Sequence, residues 1–302
     1  MKIGILGFGV VGKSALNFLS KNNHTIGIWD NRILSEPEIN LIRSCFTASY
    51  FNFTQNNIEF FLDSHEKIIV SPGINLNKIV TKNLNKYFEE DKFLCELDLL
   101  ADFLTIKSVA ITGSLGKTTI VSLLGQLLNK SFIAGNIGTG MLDVLSEQEK
   151  FDSIVLELSS FQLELNKKFS PDIAILSNLY PNHLDRHGNI QNYFDAKCKI
   201  FDHQKPGQKL LISTDFLKQD IFLENNNFLQ NIFIEKLKNI KSDIVFISCN
   251  WDQDIILLNN FLKKFNLKNY SVFYAQDNFL YLEQEKIFDL SFVPNISFKQ
   301  NW

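Results

Sequence analysis

The sequence predicts an α/β protein of two domains, each opening with a strand, a glycine-rich turn and a helix. Three observations predict it. Gly7-Phe8-Gly9-Val10-Val11-Gly12 follows the apolar run Ile3 to Leu6 and leads into a helical pattern. Thr112-Gly113-Ser114-Leu115-Gly116-Lys117-Thr118-Thr119 repeats that device after the apolar run Val109 to Thr112. The length of 302 residues suffices for two cores at roughly 150 residues per domain.

Ile3 to Leu6 reads as a buried strand, Ser14 to Leu19 as part of a helix and Thr25 to Trp29 as a second strand, which together make a βαβ unit. Ile68 to Val70 is a further strand, ending in Ser71-Pro72-Gly73, a turn where a ligand could approach backbone. A polar stretch from Asn83 to Lys92 follows, and the domain boundary is expected near Phe93, giving domains 1–93 and 94–302. In the second domain a helix is expected over Lys117 to Leu128. Strands are expected at Ile154 to Leu158, Ile173 to Leu176, Leu210 to Ile212 and Ile244 to Ile247, with helical patterns between them, hence a mainly parallel sheet. Ser271 to Leu290 alternates like a hairpin with Gln284-Glu285-Lys286 as its turn, while Asp215 to Asn269 says little.

The bulk composition excludes several classes. A net charge of -3 gives no electrostatic reason for nucleic acid or a membrane surface as partner, so an anionic substrate must be held by local features. Cys45, Cys95, Cys198 and Cys249 lack CxxC spacing, which indicates neither a zinc site nor a disulfide framework and fits a reducing compartment. No run approaches 18 apolar residues and no leader pattern opens the chain, so a cytoplasmic location is expected.

Three glycines after a strand can supply a tight turn, backbone approach to a pyrophosphate and close helix packing, and the helix start offers N–H groups to an anion. Asp30, eighteen residues after Gly12, stands where an acidic residue could accept a ribose hydroxyl. This first loop suits a dinucleotide, another nucleotide diphosphate, or a purely structural turn. The second loop reads more sharply as a phosphate cradle: its backbone N–H groups would wrap the phosphates, Lys117 would meet the β and γ phosphates, and the Thr118 hydroxyl would ligate Mg²⁺. The generic pattern has Gly at position 111, where this chain has Ile111.

Glu157 lies inside an apolar strand, where an unpaired carboxylate is costly, so it should meet a metal, a helix N-terminus or a lysine. His183 follows a strand, in the loop zone where α/β enzymes place their sites, although a lone loop histidine is commonly a surface residue. Ile190, Tyr193, Phe194, Lys197 and Phe201 share one helical stripe, which puts Lys197 on the apolar face. Such a lysine either snorkels at the core edge or is held as a neutral amine able to form a carbamate with carbon dioxide.

Taken together these segments resemble the Mur ligase family, whose members join an amino acid to a UDP-muramoyl precursor with consumption of ATP. The resemblance runs from Lys2 to about Phe201 and includes the phosphate loop, Gly135-Asn136-Ile137-Gly138, Leu156-Glu157-Leu158-Ser159-Ser160-Phe161-Gln162-Leu163, and His183-Leu184-Asp185-Arg186-His187-Gly188 leading to Ala196-Lys197. The Glu157 string is similar to the branch that adds D-glutamate. The resemblance implies a Rossmann-like first domain that holds UDP-N-acetylmuramoyl-L-alanine through Gly9, Val10, Val11, Gly12, Asn31, Arg32, Ser71, Pro72 and Gly73, with Asn136 and Ser159 facing the muramoyl-alanine end. It implies ATP on Gly113, Ser114, Leu115, Gly116, Lys117, Thr118 and Thr119. One Mg²⁺ would be held by Thr118 and Glu157, and a second held or oriented by His183 and a carbamylated Lys197. It implies a monomer and an acyl phosphate attacked by the amine of D-glutamate.

Two departures stand out: Leu115 replaces a polar residue of the phosphate loop, and Val11 replaces a hydroxyl residue of the first loop. The chain also stops at Gln300-Asn301-Trp302 with no histidine after His203, whereas the family continues into a third, amino-acid-binding domain. On that basis the chain alone is expected to release phosphate slowly at most and not to ligate D-glutamate. The competing readings are a non-catalytic UDP-precursor-binding remnant and an NAD-dependent enzyme, the latter leaving Glu157, His183 and Lys197 without a role.

Overall fold

A computed structural model describes residues 1–22, 24–45, 48–51, 58–79, 81–219, 227–248, 251–267, 270–276 and 279–289; Cys249, Leu290 and the final Gln300-Asn301-Trp302 lie outside them. By contact density the chain divides into two compact units, Met1–Ser108 with Val121–Phe169, and Val109–Ile120 with the described residues from Ser170 onward. Among the described residues no helix is long and apolar enough to cross a membrane.

The first unit is built on five parallel strands, β1 (Lys2–Leu6), β2 (Thr25–Trp29), β3 (Ala48–Phe51), β4 (Lys67–Val70) and β5 (Phe93–Leu94), in the order β3-β2-β1-β4-β5. Continuous burial along β1 and β2 after their first residue is what a strand covered on both faces requires, and it explains why these runs read as unbroken apolar segments. The order reverses between β1 and β4, so the carboxyl ends of those two strands form the crevice where such sheets take ligands. Helix Val10–Leu19 buries Val11, Ala15, Leu16 and Leu19, the stripe expected of its spacing. The same unit contains the parallel pair β7 (Ser131–Gly135) and β8 (Ser153–Glu157), the second being the expected strand displaced by one residue.

The second unit contains β6 (Lys107–Thr112) from Val109 onward and the described strands β9 (Ile173–Leu176), β10 (Lys209–Ser213), β11 (Asp243–Ser248) and β12 (Tyr270–Gln276), which run parallel as β6-β9-β10-β11-β12. β13 (Phe279–Leu282) and β14 (Glu285–Asp289) then turn back antiparallel. The hairpin expected after Ser271 is therefore three strands, and its last turn is Glu283-Gln284 rather than Gln284-Glu285-Lys286. Glu283 takes a left-handed φ of 59°, and Glu285 already pairs with Leu282. The uninformative stretch after Asp215 supplies helices Asn227–Asn239 and Trp251–Phe265.

Candidate functional site

In the first unit a cavity of about 410 Å³ opens at the carboxyl ends of β1 and β4. Its walls are the first glycine loop (Gly9, Val10, Val11), the end of β2 (Asn31, Arg32), the turn Ser71-Pro72-Gly73, and the segment Gly135 to Gly138 that carries Asn136. Residues from four separate stretches of sequence, each expected to touch one ligand, thus line one cavity.

The loop geometry follows from its glycines. Gly7 has φ of +92°, and its N–H donates to the Trp29 carbonyl at 2.7 Å. A Cβ on Gly12 would stand 2.2 Å from the Gly7 carbonyl oxygen, so only glycine lets the helix start close on the strand end. Helix Val10–Leu19 begins at Gly9 with no side-chain cap. Its first N–H groups therefore face the cavity end of the helix, as an anion site requires.

Asp30 lines the cavity and is at the same time engaged by backbone. Its Oδ2 accepts the Phe8 N–H at 2.7 Å and its Oδ1 accepts the Arg32 N–H at 3.0 Å, so the carboxylate braces the loop it was expected to complement through a ribose. Arg32 is itself anchored: Nη1 and Nη2 donate to the two Glu38 oxygens at 2.9 Å each, and Nη2 donates to the Phe8 carbonyl at 2.9 Å. Arg32 first, then Lys13, holds the Glu38 carboxyl far below the usual carboxylate range. Ser71 Oγ donates to the Gly7 carbonyl at 2.7 Å and ties the third wall to the loop.

On the fourth wall Asn136 is fixed twice by Glu157, donating its N–H to the Glu157 carbonyl at 2.8 Å and Nδ2 to Glu157 Oε1 at 2.9 Å. Glu157 is only 2% exposed. Gly135 makes this possible, since a Cβ there would lie 2.2 Å from the Glu157 carbonyl oxygen. Ser159 is the N-cap of the short helix Ser160–Leu163, where its hydroxyl accepts the Gln162 N–H at 3.2 Å and donates to Gln162 Oε1 at 3.0 Å. Gln162, part of the Glu157 string but given no role of its own from sequence, lines the cavity.

In the second unit the loop 113–116 joins β6 to helix Lys117–Leu127. Gly116 has φ of +78°, and a Cβ on Gly113 would meet Ser177 Oγ at 2.0 Å, so both glycines are required by the turn. Asn178 clasps this loop: Oδ1 accepts the N–H groups of Ser114 (3.0 Å) and Leu115 (2.8 Å), and Nδ2 donates to the Leu115 carbonyl at 2.9 Å. Two of the N–H groups expected to wrap phosphate are thereby engaged by the protein's own amide. Nothing in the local sequence around Asn178 announces that clasp, because it spans 64 residues between Ser114 and Asn178. The Leu115 side chain is 61% exposed and Lys117 Nζ donates to the Ser114 carbonyl at 3.1 Å. Thr118 and Thr119 are exposed at the helix start.

Lys197, on helix Ile190–Cys198, is buried as its stripe predicts and donates to the Gly113 carbonyl at 2.8 Å. Its ammonium sits 4.7 Å from the centroid of the Tyr193 ring, and Tyr193 Oη is 2.9 Å from Ser114 Oγ. Burial, with the positive charge of Lys117 second, pulls the Lys197 amine down to about 7. His183 is exposed in a left-handed conformation (φ 54°), with its ring centroid 6.5 Å from that of Tyr193. Among the described residues no group of three or more His, Cys, Asp and Glu side chains is placed to hold a metal ion.

Mg²⁺ asks for hard oxygen donors, and a protonated lysine or an imidazole meets that poorly. The Thr118 hydroxyl and the Glu157 carboxylate are donors of the right chemistry. Lys197 becomes one only as a carbamate, which needs the neutral amine that its burial supplies at neutral pH.

Comparison with known proteins bears on the whole arrangement. A model of the Mur ligase middle domain matches residues 111–285, and one of the Mur ligase MurD-like N-terminal domain matches residues 1–87. The chain is similar to UDP-N-acetylmuramoylalanine–D-glutamate ligases. It is 32% identical over 240 residues to that of Thermosipho melanesiensis, covering 75% of this chain and 51% of the relative. It is 39% identical over 218 residues to that of Desulfotalea psychrophila (70% and 46%), and 30% identical over 265 residues to that of a Thermoanaerobacter species (85% and 58%). The chain spans about half the length of the curated relatives it matches. The middle-domain match takes in the phosphate loop, Glu157, His183 and Lys197 in one span, and the chain accordingly belongs to the Mur ligase family.

Proposed function

We propose that the chain carries the UDP-substrate and ATP sites of a ligase that adds D-glutamate to UDP-N-acetylmuramoyl-L-alanine in the cytoplasm, with a UDP-binding domain ending near Phe93 and an ATP-binding domain after it. The observation that carries the reading is the single cavity lined by the first glycine loop, Asn31-Arg32, Ser71-Pro72-Gly73 and Asn136. A diphosphate lies at the start of helix Val10–Leu19, with Gly9, Val10, Val11 and Gly12 giving backbone approach. Asn31 and Arg32, with Ser71, Pro72 and Gly73, flank the uracil end. Asn136, oriented by Glu157, and Ser159, through the Gln162 it holds, face the muramoyl-alanine end.

ATP lies on the loop from Gly113 to Thr119, where Lys117 leaves the Ser114 carbonyl for the β and γ phosphates and Thr118 offers its hydroxyl to the accompanying Mg²⁺. Glu157 offers a carboxylate oxygen to a cation, and His183 with carbamylated Lys197 orients a second ion. When bound, Mg²⁺ supplies charge neutralisation to the phosphates. The substrate carboxylate takes the γ phosphoryl group and ADP leaves. The amine of D-glutamate then attacks the resulting acyl phosphate, forming the amide and releasing phosphate and a proton.

Titration calorimetry tests the reading. The chain is expected to bind UDP-N-acetylmuramoyl-L-alanine with a Kd at least roughly tenfold below that for NAD, because the second phosphate loop and the Glu157 string suit a ligase and have no use in a dehydrogenase. Tight NAD binding with no heat from the UDP compound would sink it.

A further inference from the structure

Glu96 opens helix Glu96–Phe103 and is 3% exposed. A buried carboxylate at a helix start ordinarily serves its own helix, yet this one is turned elsewhere. Its Oε1 accepts the N–H groups of Met141 (2.7 Å) and Leu142 (3.3 Å), the first two residues of the turn Met141–Ser146. That turn starts at Gly140, which has no side chain to cap it. Glu96 therefore supplies from 45 residues away the acceptor that a Ser or Asp at the cap would supply locally. Ser14 Oγ donates to Asp143 Oδ1 at 2.8 Å and also supports the Glu96 carboxyl, whose neighbouring charged group is Asp143.

Ser14 lies on helix Val10–Leu19, whose first turn lines the cavity; residues 135–138, shortly before the capped turn, line it too. Between them Gly140 is in close approach, since a Cβ on it would stand 2.2 Å from Ser14 Cβ. We propose that Glu96 is a positioning residue for this cavity: by capping the Met141–Ser146 turn it fixes the wall carrying Asn136 against the helix that receives the diphosphate. The inference rests on the reading of the cavity as the UDP-substrate site. Without the cap the Met141 and Leu142 N–H groups lose their buried acceptor, which loosens the turn that follows the wall carrying Asn136 and leaves the phosphate loop untouched.

The test is calorimetric titration of the chain with UDP-N-acetylmuramoyl-L-alanine and, separately, with a non-hydrolysable ATP analogue. Glu96→Ala is expected to weaken the UDP compound about tenfold, the effect of leaving two buried N–H groups without their acceptor, and to leave the ATP analogue within about twofold. Glu96→Gln keeps an acceptor oxygen and is expected to restore the UDP affinity to within about twofold. Gly140→Ala, which pushes the wall from helix Val10–Leu19 without touching Glu96, is expected to reproduce the selective loss, and covers the case in which Glu96→Ala does not fold. Equal weakening of both ligands, UDP affinity untouched in Glu96→Ala and Gly140→Ala, or failure of Glu96→Gln to rescue, each overturns the positioning role. A wild-type chain that ignores the UDP compound overturns the reading of the cavity and the inference with it, whereas wild-type binding with indifferent variants overturns the inference alone.

Discussion

Lys117→Ala is expected to weaken ATP binding by about 2–3 kcal/mol, roughly 30- to 150-fold in Kd, because a charge-assisted contact to the β and γ phosphates is lost and only backbone donors remain. The lysine is close to its task already, with Nζ resting on the Ser114 carbonyl at 3.1 Å inside the loop. Affinity for UDP-N-acetylmuramoyl-L-alanine is expected to stay within about twofold, since the cavity at the ends of β1 and β4 contains none of the loop's residues. A second readout accompanies the first. Lys117 is one of the influences that depress the Lys197 amine, so its removal is expected to move that amine upward, toward an ordinary lysine. Equal loss of both ligands would show that the two sites are not separate, and unchanged ATP affinity would show that the loop does not carry the phosphates.

Lys197→Met is expected to stabilise the folded chain while removing the group proposed to become a carbamate. Burial lowers this amine from an ordinary value of 10.5 to about 7 in the folded state. Between those values the unfolded chain holds a proton that the folded chain has released, so stability rises with pH from about 7 toward 10.5; below about 7 the full cost of burying the ammonium is present. A shift of that size corresponds to a cost on the order of 4–5 kcal/mol, offset in part by the bond to the Gly113 carbonyl. Thermal unfolding in carbonate-free buffer at pH 6 and pH 9 reads this directly. The melting temperature of the variant is expected to exceed that of the wild type most at pH 6, with the gap narrowing at pH 9. A gap independent of pH would show that the amine is not held in a depressed state. A core position that is less stable with its natural residue than with methionine is one retained for chemistry.

The elements were legible in sequence because they are local. Thr25–Trp29 and Ile173–Leu176 occupy their expected bounds, the first buried on both faces after Thr25 and the second alternating half-buried with buried residues, since mostly apolar runs of this length read as strands. The two glycine turns were legible for a similar reason: Gly12 and Gly113 each stand where a side chain would collide with backbone or a facing hydroxyl, a requirement carried by the residue itself. What sequence did not disclose is which distant polar group each side chain chooses. The Asn178 clasp on the phosphate loop, the Asp30 brace under the first loop and the Glu96 cap on Met141 and Leu142 join residues 63, 22 and 45 positions apart, and no periodicity encodes such pairings. Lys197 was legible as buried because its stripe is apolar, whereas its depressed amine also needs Lys117 from another helix. The turn at Glu283-Gln284 was misplaced by one residue because Glu283 accepts a left-handed backbone that its type rarely adopts.

The anchoring of Arg32 has a further consequence for selectivity. With its guanidinium tied to both Glu38 oxygens and to the Phe8 carbonyl, and the side chain still 46% exposed, the arginine presents a flat cationic plate whose orientation is set before any ligand arrives. A free arginine would surrender about 2 kcal/mol of rotamer entropy on being fixed against a planar ring; here that loss is incurred during folding, so on the proposed reading a nucleobase stacked on the plate would add to affinity almost undiminished. Rigidity of this kind rewards a ring that matches the plate's fixed tilt and gives little to one that does not, so on that reading discrimination among bases would come from geometry already built into the chain.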